Sequence, residues 1–115
     1  MKAGSESAFQ AQVCNLASYL GWHWYHAPDN RPIRTRDGRV RKQHVVPGFP
    51  DLIMLRGAEI MAVELKAQGG RISRDQNTWL ARFIAAGVET HIWFPADWDE
   101  VRERLSAPIQ GRVAA

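Results

Sequence analysis

Apolar and polar residues along the chain follow two spacings, which predict three helices and a small set of strands. Apolar side chains recur at helical spacing in residues 5–20, 73–86 and 97–105. Short apolar or alternating runs typical of strands lie at residues 22–26, 51–55, 60–66 and 89–94. The order helix, strand, two-stranded hairpin, helix, strand, helix indicates an α/β domain with a mixed central β-sheet flanked by helices.

Polar residues at the expected helix starts predict the helix caps. Ser and Gln three residues apart fit capping boxes at Ser7 with Gln10 and at Ser73 with Gln76. Asp97 is expected to cap the third helix together with Glu100.

The hairpin in the middle of the chain brings three charged residues together. Its two apolar strands are joined by a tight turn centred on Gly57-Ala58. The symmetric register of such a turn places Asp51 directly opposite Glu64, with Cβ atoms about 4.5–5.5 Å apart. Lys66 follows Glu64 by two positions on the same strand and therefore lies on the same face.

An acid pair in this position needs a compensating charge. Carboxylates directly opposite each other repel, and apolar residues on both faces predict that the hairpin lies in the middle of a covered sheet. A divalent cation between Asp51 and Glu64 removes the repulsion, and Mg²⁺ typically binds one or two carboxylates plus water and substrate phosphate. The alternative is a solvated strand end at which Lys66 is the ion-pair partner of the acids.

The residues around this hairpin resemble a known nuclease signature. Pro50-Asp51 followed by Glu64-Leu65-Lys66 is similar to the PD-(D/E)XK motif. A longer string resembles the VRR-NUC family of virus-type replication-repair nucleases; it comprises Gly48-Phe49-Pro50-Asp51-Leu52, Val63-Glu64-Leu65-Lys66 and Ser73-Arg74-Asp75-Gln76. The similar core spans residues 44–95, and Glu6 on the first helix extends it. The resemblance implies a restriction-endonuclease-like core that hydrolyses phosphodiester bonds.

This resemblance implies a role for each residue of the hairpin site. Asp51 and Glu64 are expected to bind Mg²⁺ or Mn²⁺ directly, with the backbone carbonyl of Leu65 as a third ligand. Lys66 is expected to orient or help deprotonate the attacking water, or to neutralise charge that develops on the phosphate. These residues are the predicted catalytic centre.

Glu6 and Gln76 each have two interpretations. From the residues alone, Glu6 is a first-turn acid that complements the helix dipole, and Gln76 returns a capping bond to Ser73. The resemblance implies instead that Glu6 lies near the metal, where it can bind a second ion or a metal-bound water. It likewise implies that Gln76 reaches toward the water or the phosphate.

A basic segment precedes the hairpin, with Asp37 as its one acid and Asp37-Gly38 as a turn signal. Its cations are Arg31, Arg34, Arg36, Arg39, Arg41, Lys42 and His44. A solvated basic loop is one interpretation. Its place beside the candidate site favours a protruding hairpin or loop that holds DNA phosphates independently of sequence, with an affinity that falls with salt. Arg71, in the turn after Lys66, is a further candidate contact.

Composition narrows the class of protein. The 115 residues suffice for one domain, here expected to be a VRR-NUC-like nuclease domain with a core at residues 5–105 and a loose tail at 106–115. A net charge of +3 suits a polyanionic partner. The single cysteine excludes an internal disulfide, and a zinc site, a signal peptide, a membrane span and a nucleotide-binding P-loop are not expected. These features predict a cytoplasmic protein of a bacterial or phage-infected cell, without membrane or nucleotide-cofactor partners.

The expected substrate is DNA recognised by shape, since the chain has no helix-turn-helix or zinc-finger pattern. Stand-alone members of the resembled family act as homodimers on branched DNA such as four-way (Holliday) junctions. A homodimer is therefore expected here, with Trp93 or Trp98 as candidate contacts if they are exposed rather than buried. Flap or single-strand-specific cleavage is an alternative, and a DNA-binding module without turnover is another. The intact acid pair argues against the last.

Overall fold

The computed structural model describes residues 5–28, 32–42 and 45–109, and it confirms the predicted α/β architecture. The helices are α1 (Glu6–Tyr19), α2 (Arg74–Ala85) and α3 (Trp98–Ser106), and a 3₁₀ turn at Pro95–Asp97 precedes α3. The strands are β1 (His23–His26), β2 (Pro32–Arg34), β3 (Val40–Lys42), β4 (Leu52–Arg56), β5 (Glu59–Leu65) and β6 (Glu89–Trp93). None of the helices in the described residues is long and apolar enough to span a membrane.

Four strands form the central sheet in the order β1-β4-β5-β6, and β2 pairs with β3 in a separate basic hairpin. The sheet is mixed: β4 pairs antiparallel with both β1 and β5, whereas β5 pairs in parallel with β6, to which α2 connects it along the chain. In the β4–β5 hairpin Leu52 lies opposite Val63 and Arg56 opposite Glu59, which is the predicted symmetric register. Gly57 has the positive φ of +60° that this tight turn needs.

The main core lies between one face of the sheet and the helices α1 and α3. Alternate residues of the central strands are completely buried there, as the period of two predicts. They are Leu52, Met54, Met61, Val63, Leu65 and Trp93, packed with Phe9, Val13, Ala17, Val101 and Leu105. Trp93 is therefore buried and is not a candidate subunit contact.

The other face of the sheet is covered only in part, which corrects the expectation of a fully covered hairpin. Helix α2 contacts β6 and reaches β5 through Gln76, but Leu55 and Ile60 are 47% and 43% exposed. The physical reason is geometric: a helix about 10 Å wide covers about two strands spaced about 4.8 Å apart, not four. On this face, α2 reaches the end of the hairpin that carries Glu64, here called the closed end, and leaves the end near the hairpin turn exposed, here called the open end.

A charged network joins the turn of the β4–β5 hairpin to the C-terminal helix. The buried Arg56 side chain donates to the carbonyl oxygens of Leu105 at 2.9 Å and Ala107 at 2.7 Å. Arg104 forms ion pairs at 2.6 Å with both Glu59 and Glu89. The expected loose tail at residues 106–115 begins with Ser106, the last residue of α3, and Ala107, whose carbonyl oxygen accepts from Arg56. Residues 110–115 lie outside the described part of the chain.

Two of the three predicted caps differ from those observed. The N-cap of α1 is Ser5, which accepts from the backbone of Ala8, rather than Ser7 with Gln10. Asp97 occupies the predicted N-cap position of α3 but makes no side-chain capping bond there; its carboxylate instead accepts from the backbone N–H of Phe94 at 2.8 Å and closes the 3₁₀ turn.

Candidate active site

The loop before β4 positions Asp51 by packing against the start of α2. The Phe49 ring makes edge contacts with Trp79 and Phe83, with ring centroids 5.2 and 5.6 Å apart. Gly48, one residue earlier, has φ +80°, and a Cβ built there would lie 2.3 Å from the backbone carbon of Asp75. Only glycine therefore permits this approach, which brings α2 beside the end of the β4–β5 hairpin.

Asp51 is tied to the opposite strand by its own carboxylate. Its Oδ2 atom accepts a hydrogen bond of 2.8 Å from the backbone N–H of Leu65, and its backbone carbonyl accepts one of 3.0 Å from Ala27. The first bond spans the hairpin beyond the last β4–β5 pair, and the second continues the β1–β4 pairing. Asp51 is consequently held between β1 and β5; only its place beside β5 follows from the predicted register.

Glu64 is a buried carboxyl group, with 1% of its surface exposed. Its Oε2 atom accepts from Gln76 Nε2 at 2.9 Å and lies 3.9 Å from the ammonium of Lys66. Its Oε1 atom is buried and has no hydrogen-bond donor among the described residues. Burial, followed by the charge of the neighbouring Asp51, raises the pKa of Glu64 to about 8.

Gln76 makes the predicted capping bond and also a bond to Glu64 that the sequence does not predict, whereas its reach toward the water or the phosphate stays a prediction. Its Oε1 atom accepts from the backbone N–H of Ser73 at 2.8 Å, while Ser73 Oγ accepts from the Gln76 backbone, which completes a capping box. Its Nε2 atom donates to Glu64. A side-chain amide allows this, because it carries an acceptor and a donor on different atoms.

Glu6 faces the same site from the first turn of α1. Burial raises its pKa, the charge of Asp51 raises it further, and Lys66 opposes both. Asp51 and Lys66 therefore lie within electrostatic range of Glu6 although α1 is far from them in sequence. Glu6 is therefore an acid in the first turn of α1 and also an acid beside the hairpin site.

Glu6, Asp51 and Gln76 line one cleft of about 710 Å³. The rest of its lining consists of Ser7, Gln10, His26 to Pro28 and Val45 to Phe49. Sequence reasoning assigned no part of the site to His26 or Ala27, which the β1–β4 pairing brings beside Asp51. The only signal for them is the aromatic alternation of β1, and it does not reveal which strand β1 joins.

The basic segment forms the predicted hairpin, with Arg34, Arg36 and Arg39 exposed on it. Its turn is closed by Thr35, whose hydroxyl donates to Asp37, and by Arg34, which donates to the Gly38 carbonyl at 3.2 Å. Arg71 is exposed in the loop after β5. Arg31, His44 and the side chains of Arg41 and Lys42 lie outside the described residues.

The donor set of the site fits a hard divalent cation. Asp51 and Glu64 offer carboxylate oxygens, and the buried Oε1 atom of Glu64 needs a positively charged or hydrogen-bonding partner. Among residues 5–28, 32–42 and 45–109 no group of three or more His, Cys, Asp or Glu side chains has metal-binding geometry. Two carboxylates combined with solvent and phosphate oxygens are a ligand set typical of Mg²⁺.

Comparison with known proteins agrees with this arrangement. The model of the VRR-NUC domain family matches residues 6–93 of the 115-residue chain. The matched segment begins at Glu6 on α1 and ends with β6, so it contains the acid pair, Lys66, Gln76 and the basic hairpin. No curated protein and no solved structure matches the chain.

Proposed function

Because the chain belongs to the VRR-NUC domain family, whose domain implies nuclease-type processing of DNA, we propose that it is a Mg²⁺- or Mn²⁺-dependent endonuclease acting on branched DNA. Four-way junctions that arise during DNA repair are the substrate class. The proposal places the enzyme in the cytoplasm, where such DNA is accessible and where the buried Cys14 thiol stays reduced.

The observation that carries the proposal is the buried Glu64 carboxyl group, which lies near Asp51 and whose Oε1 atom has no donor in the described part of the chain. A buried carboxyl group with an unsatisfied oxygen destabilises a protein core unless a cation or another partner compensates it. Asp51, Glu64 and the backbone carbonyl of Leu65 would hold the divalent ion. When bound, such an ion acts as a Lewis acid on phosphoryl oxygens and lowers the pKa of its water.

The surrounding residues supply positioning and charge. Lys66, whose side chain is only 12% exposed and points at Glu64, is placed to orient the attacking water or to balance charge on the phosphate. Gln76 holds Glu64 in one orientation through a 2.9 Å hydrogen bond. Glu6 adds a third acid at the cleft wall, near enough to influence a second ion.

Recognition of branched DNA follows from charge and from symmetry. Exposed arginines of the basic hairpin grip phosphates without reading bases, which suits a substrate defined by its shape. A homodimer presents two such sites to the two strands of a symmetric junction. The open end of the sheet, with exposed Leu55 and Ile60, offers an apolar surface for the second subunit.

A nicking assay tests the catalytic part of the proposal. With Mg²⁺ or Mn²⁺, the wild type is expected to cleave four-way junctions faster than flaps, single strands or linear duplex. Asp51→Ala and Lys66→Ala are expected to lose at least 100-fold in rate while still binding DNA, as expected when the groups that act in the transition state are removed. Asp99→Ala, on the exposed start of α3, is the matched control and should cleave normally.

Three outcomes would contradict the proposal at different levels. Full activity of Lys66→Ala would remove that residue from the mechanism. Faster cleavage of flaps or single strands would replace the junction by those substrates. Binding without cleavage of any substrate, with either metal, would leave a DNA-binding module of the same fold.

A further inference from the structure

A small apolar pocket opens beside the candidate active site and takes no part in the proposed hydrolysis. It measures about 230 Å³ and is lined by Tyr25, Ala27, Pro28, Val45, Val46 and Phe49. Apart from the Tyr25 hydroxyl, these side chains carry no polar atoms. A metal ion or a phosphate therefore has no reason to occupy it, but a flat, largely apolar ring does.

The pocket is continuous with the catalytic cleft. Five of its six lining residues, all except Tyr25, also line the cleft that contains Asp51 and Gln76. The backbone N–H of Ala27 donates to the carbonyl oxygen of Asp51, and Phe49 precedes Asp51 by two positions. A group in the pocket thus lies directly beside whatever occupies the acid site.

Two aromatic rings give the pocket walls suitable for stacking. Phe49 is held in place by its edge contacts with Trp79 and Phe83, so one wall is rigid. Tyr25 is 61% exposed at the rim and is supported by the β1–β4 pairing behind it. The volume is below the range of about 300–1,000 Å³ usual for drug-sized ligands, which suits one heterocyclic base.

The chain segment that carries the basic hairpin leaves from the pocket wall and returns to it. Pro28 and Val45 lie at the two ends of the chain segment that carries the basic hairpin, so the exposed Arg34, Arg36 and Arg39 belong to an arm that leaves from the pocket wall. Apolar walls flanked by cations are the combination with which proteins bind single-stranded nucleic acid. The arm holds phosphates while the pocket takes a base.

We propose that this pocket, here called the Tyr25 pocket, receives one unpaired nucleobase next to the phosphodiester held at Asp51 and Glu64. This inference rests on the proposed nuclease function and deepens it. A base inside a duplex has to be unstacked before it enters, whereas a base at a branch point or strand end is already partly free. The pocket therefore favours cleavage where pairing is interrupted.

The test combines a fluorescent base with an abasic substrate. With Ca²⁺ in place of Mg²⁺, 2-aminopurine beside the cleaved bond is expected to change in fluorescence on binding, because it leaves its stacked neighbours. Tyr25→Ala should lose this change and should lower kcat/KM on the branched substrate about tenfold, the order expected for one lost stacking partner. Tyr25→Phe should behave like the wild type, and Tyr19→Ala, an exposed tyrosine on α1, is the matched control.

An abasic site at the same position separates pocket binding from other effects of the substitution. The wild type should lose about tenfold on the abasic substrate, and Tyr25→Ala should lose nothing further there, because both changes remove the same contact. Equal losses of Tyr25→Ala on the intact and abasic substrates would overturn the proposal. An unchanged 2-aminopurine signal in a wild-type enzyme that cleaves would also overturn it. If Tyr25→Ala changes the oligomeric state but keeps the fluorescence signal, the proposal is wrong and the pocket is a subunit contact. If the wild type cleaves nothing but the Tyr25-dependent signal persists, the nuclease function fails and the base pocket stands.

Discussion

Glu64 keeps a carboxyl group in the protein interior with only one of its two oxygens satisfied. The hydrogen bond from Gln76 and the nearby Lys66 ammonium serve Oε2, whereas Oε1 has no donor among the described residues. Burial of the carboxylate, followed by repulsion from the neighbouring Asp51, raises the pKa of Glu64. In the absence of a cation, a proton on Glu64 relieves both.

The stability of the metal-free protein is expected to depend on this proton. Because the pKa of Glu64 is about 8 in the folded protein, above its unfolded value, the folded state binds more protons between the two values. The free energy of unfolding should therefore fall as the pH rises from about 4.5 to 8. Glu64→Gln removes the ionisation and should raise the free energy of unfolding at pH 8.5, by at most about 5 kcal/mol, because the shift from 4.5 to about 8 is about 3.5 pKa units and each unit corresponds to about 1.4 kcal/mol.

Urea denaturation in EDTA at pH 5 and pH 8.5 measures the effect. Glu64→Gln should match the wild type more closely at pH 5, where both side chains are neutral. Glu103→Gln, on the exposed side of α3, is the control and should follow the wild type at both values. An equal gain for Glu64→Gln at both pH values would mean that amide packing rather than ionisation is responsible.

At the residue scale, local rules predict the acid pair but not every partner. A two-residue turn and a period of two suffice to place Asp51 opposite Glu64 and Lys66 beside it, and the β4–β5 register agrees. They do not show that both ends of the Gln76 amide are used, since the second bond depends on where α2 packs. For the same reason they do not show that Oε1 of Glu64 has no donor among the described residues.

At the scale of elements, the position of α2 decides whether the site is complete. Gly48 lets the loop before β4 approach the first turn of α2, and Gln76 extends from that turn to Glu64. Gly69 also has a positive φ, of +83°, but a Cβ there meets nothing within 4 Å. Gly48 and Gly69 therefore share a positive φ, but an added Cβ would clash with neighbouring atoms only at Gly48.

Gly48→Ala is expected to disrupt the site from outside it. A Cβ 2.3 Å from backbone atoms of Asp75 forces the loop and α2 apart, which should cost about 3 kcal/mol of stability and at least tenfold in cleavage rate. Gly69→Ala should cost about 1 kcal/mol, the left-handed backbone alone, and leave cleavage nearly unchanged. Thermal unfolding and the nicking assay measure both, and equal behaviour of the two variants would show that the approach at Gly48 is not needed.

The sequence predicts the helices and strands themselves, but not which of them pair or pack together in space. Helical spacing, strand runs and the Asp37-Gly38 turn are local signals, and each corresponds to an observed element. The pairing of β1 with β4, which brings Ala27 to Asp51 and forms the Tyr25 pocket, depends on packing between distant parts of the chain. Partial cover of the sheet has the same origin, because apolar strands look alike whether a helix or a second subunit covers them.

At the scale of the molecule, the sheet has one closed and one open end on the face that carries Glu64. The candidate site occupies the closed end, beneath α2, and Leu55 and Ile60 lie at the open end near the hairpin turn. Ile60 and Glu64 are four positions apart along β5, a distance of about 13 Å. A substitution at Ile60 can therefore change the surface without touching the site.

Ile60→Lys tests whether this open end joins two subunits. If it does, the buried ammonium has no partner and the dimer should dissociate at least tenfold more readily, as measured by sedimentation or light scattering across a concentration series. The monomer should still nick single strands of a junction, because its acid site is intact, but paired cuts on the two strands should lose their coordination. Tyr19→Lys, at an 87% exposed position on α1, should leave both properties unchanged. A wild type that stays monomeric on junction DNA yet makes paired cuts would show that one chain acts on both strands in turn.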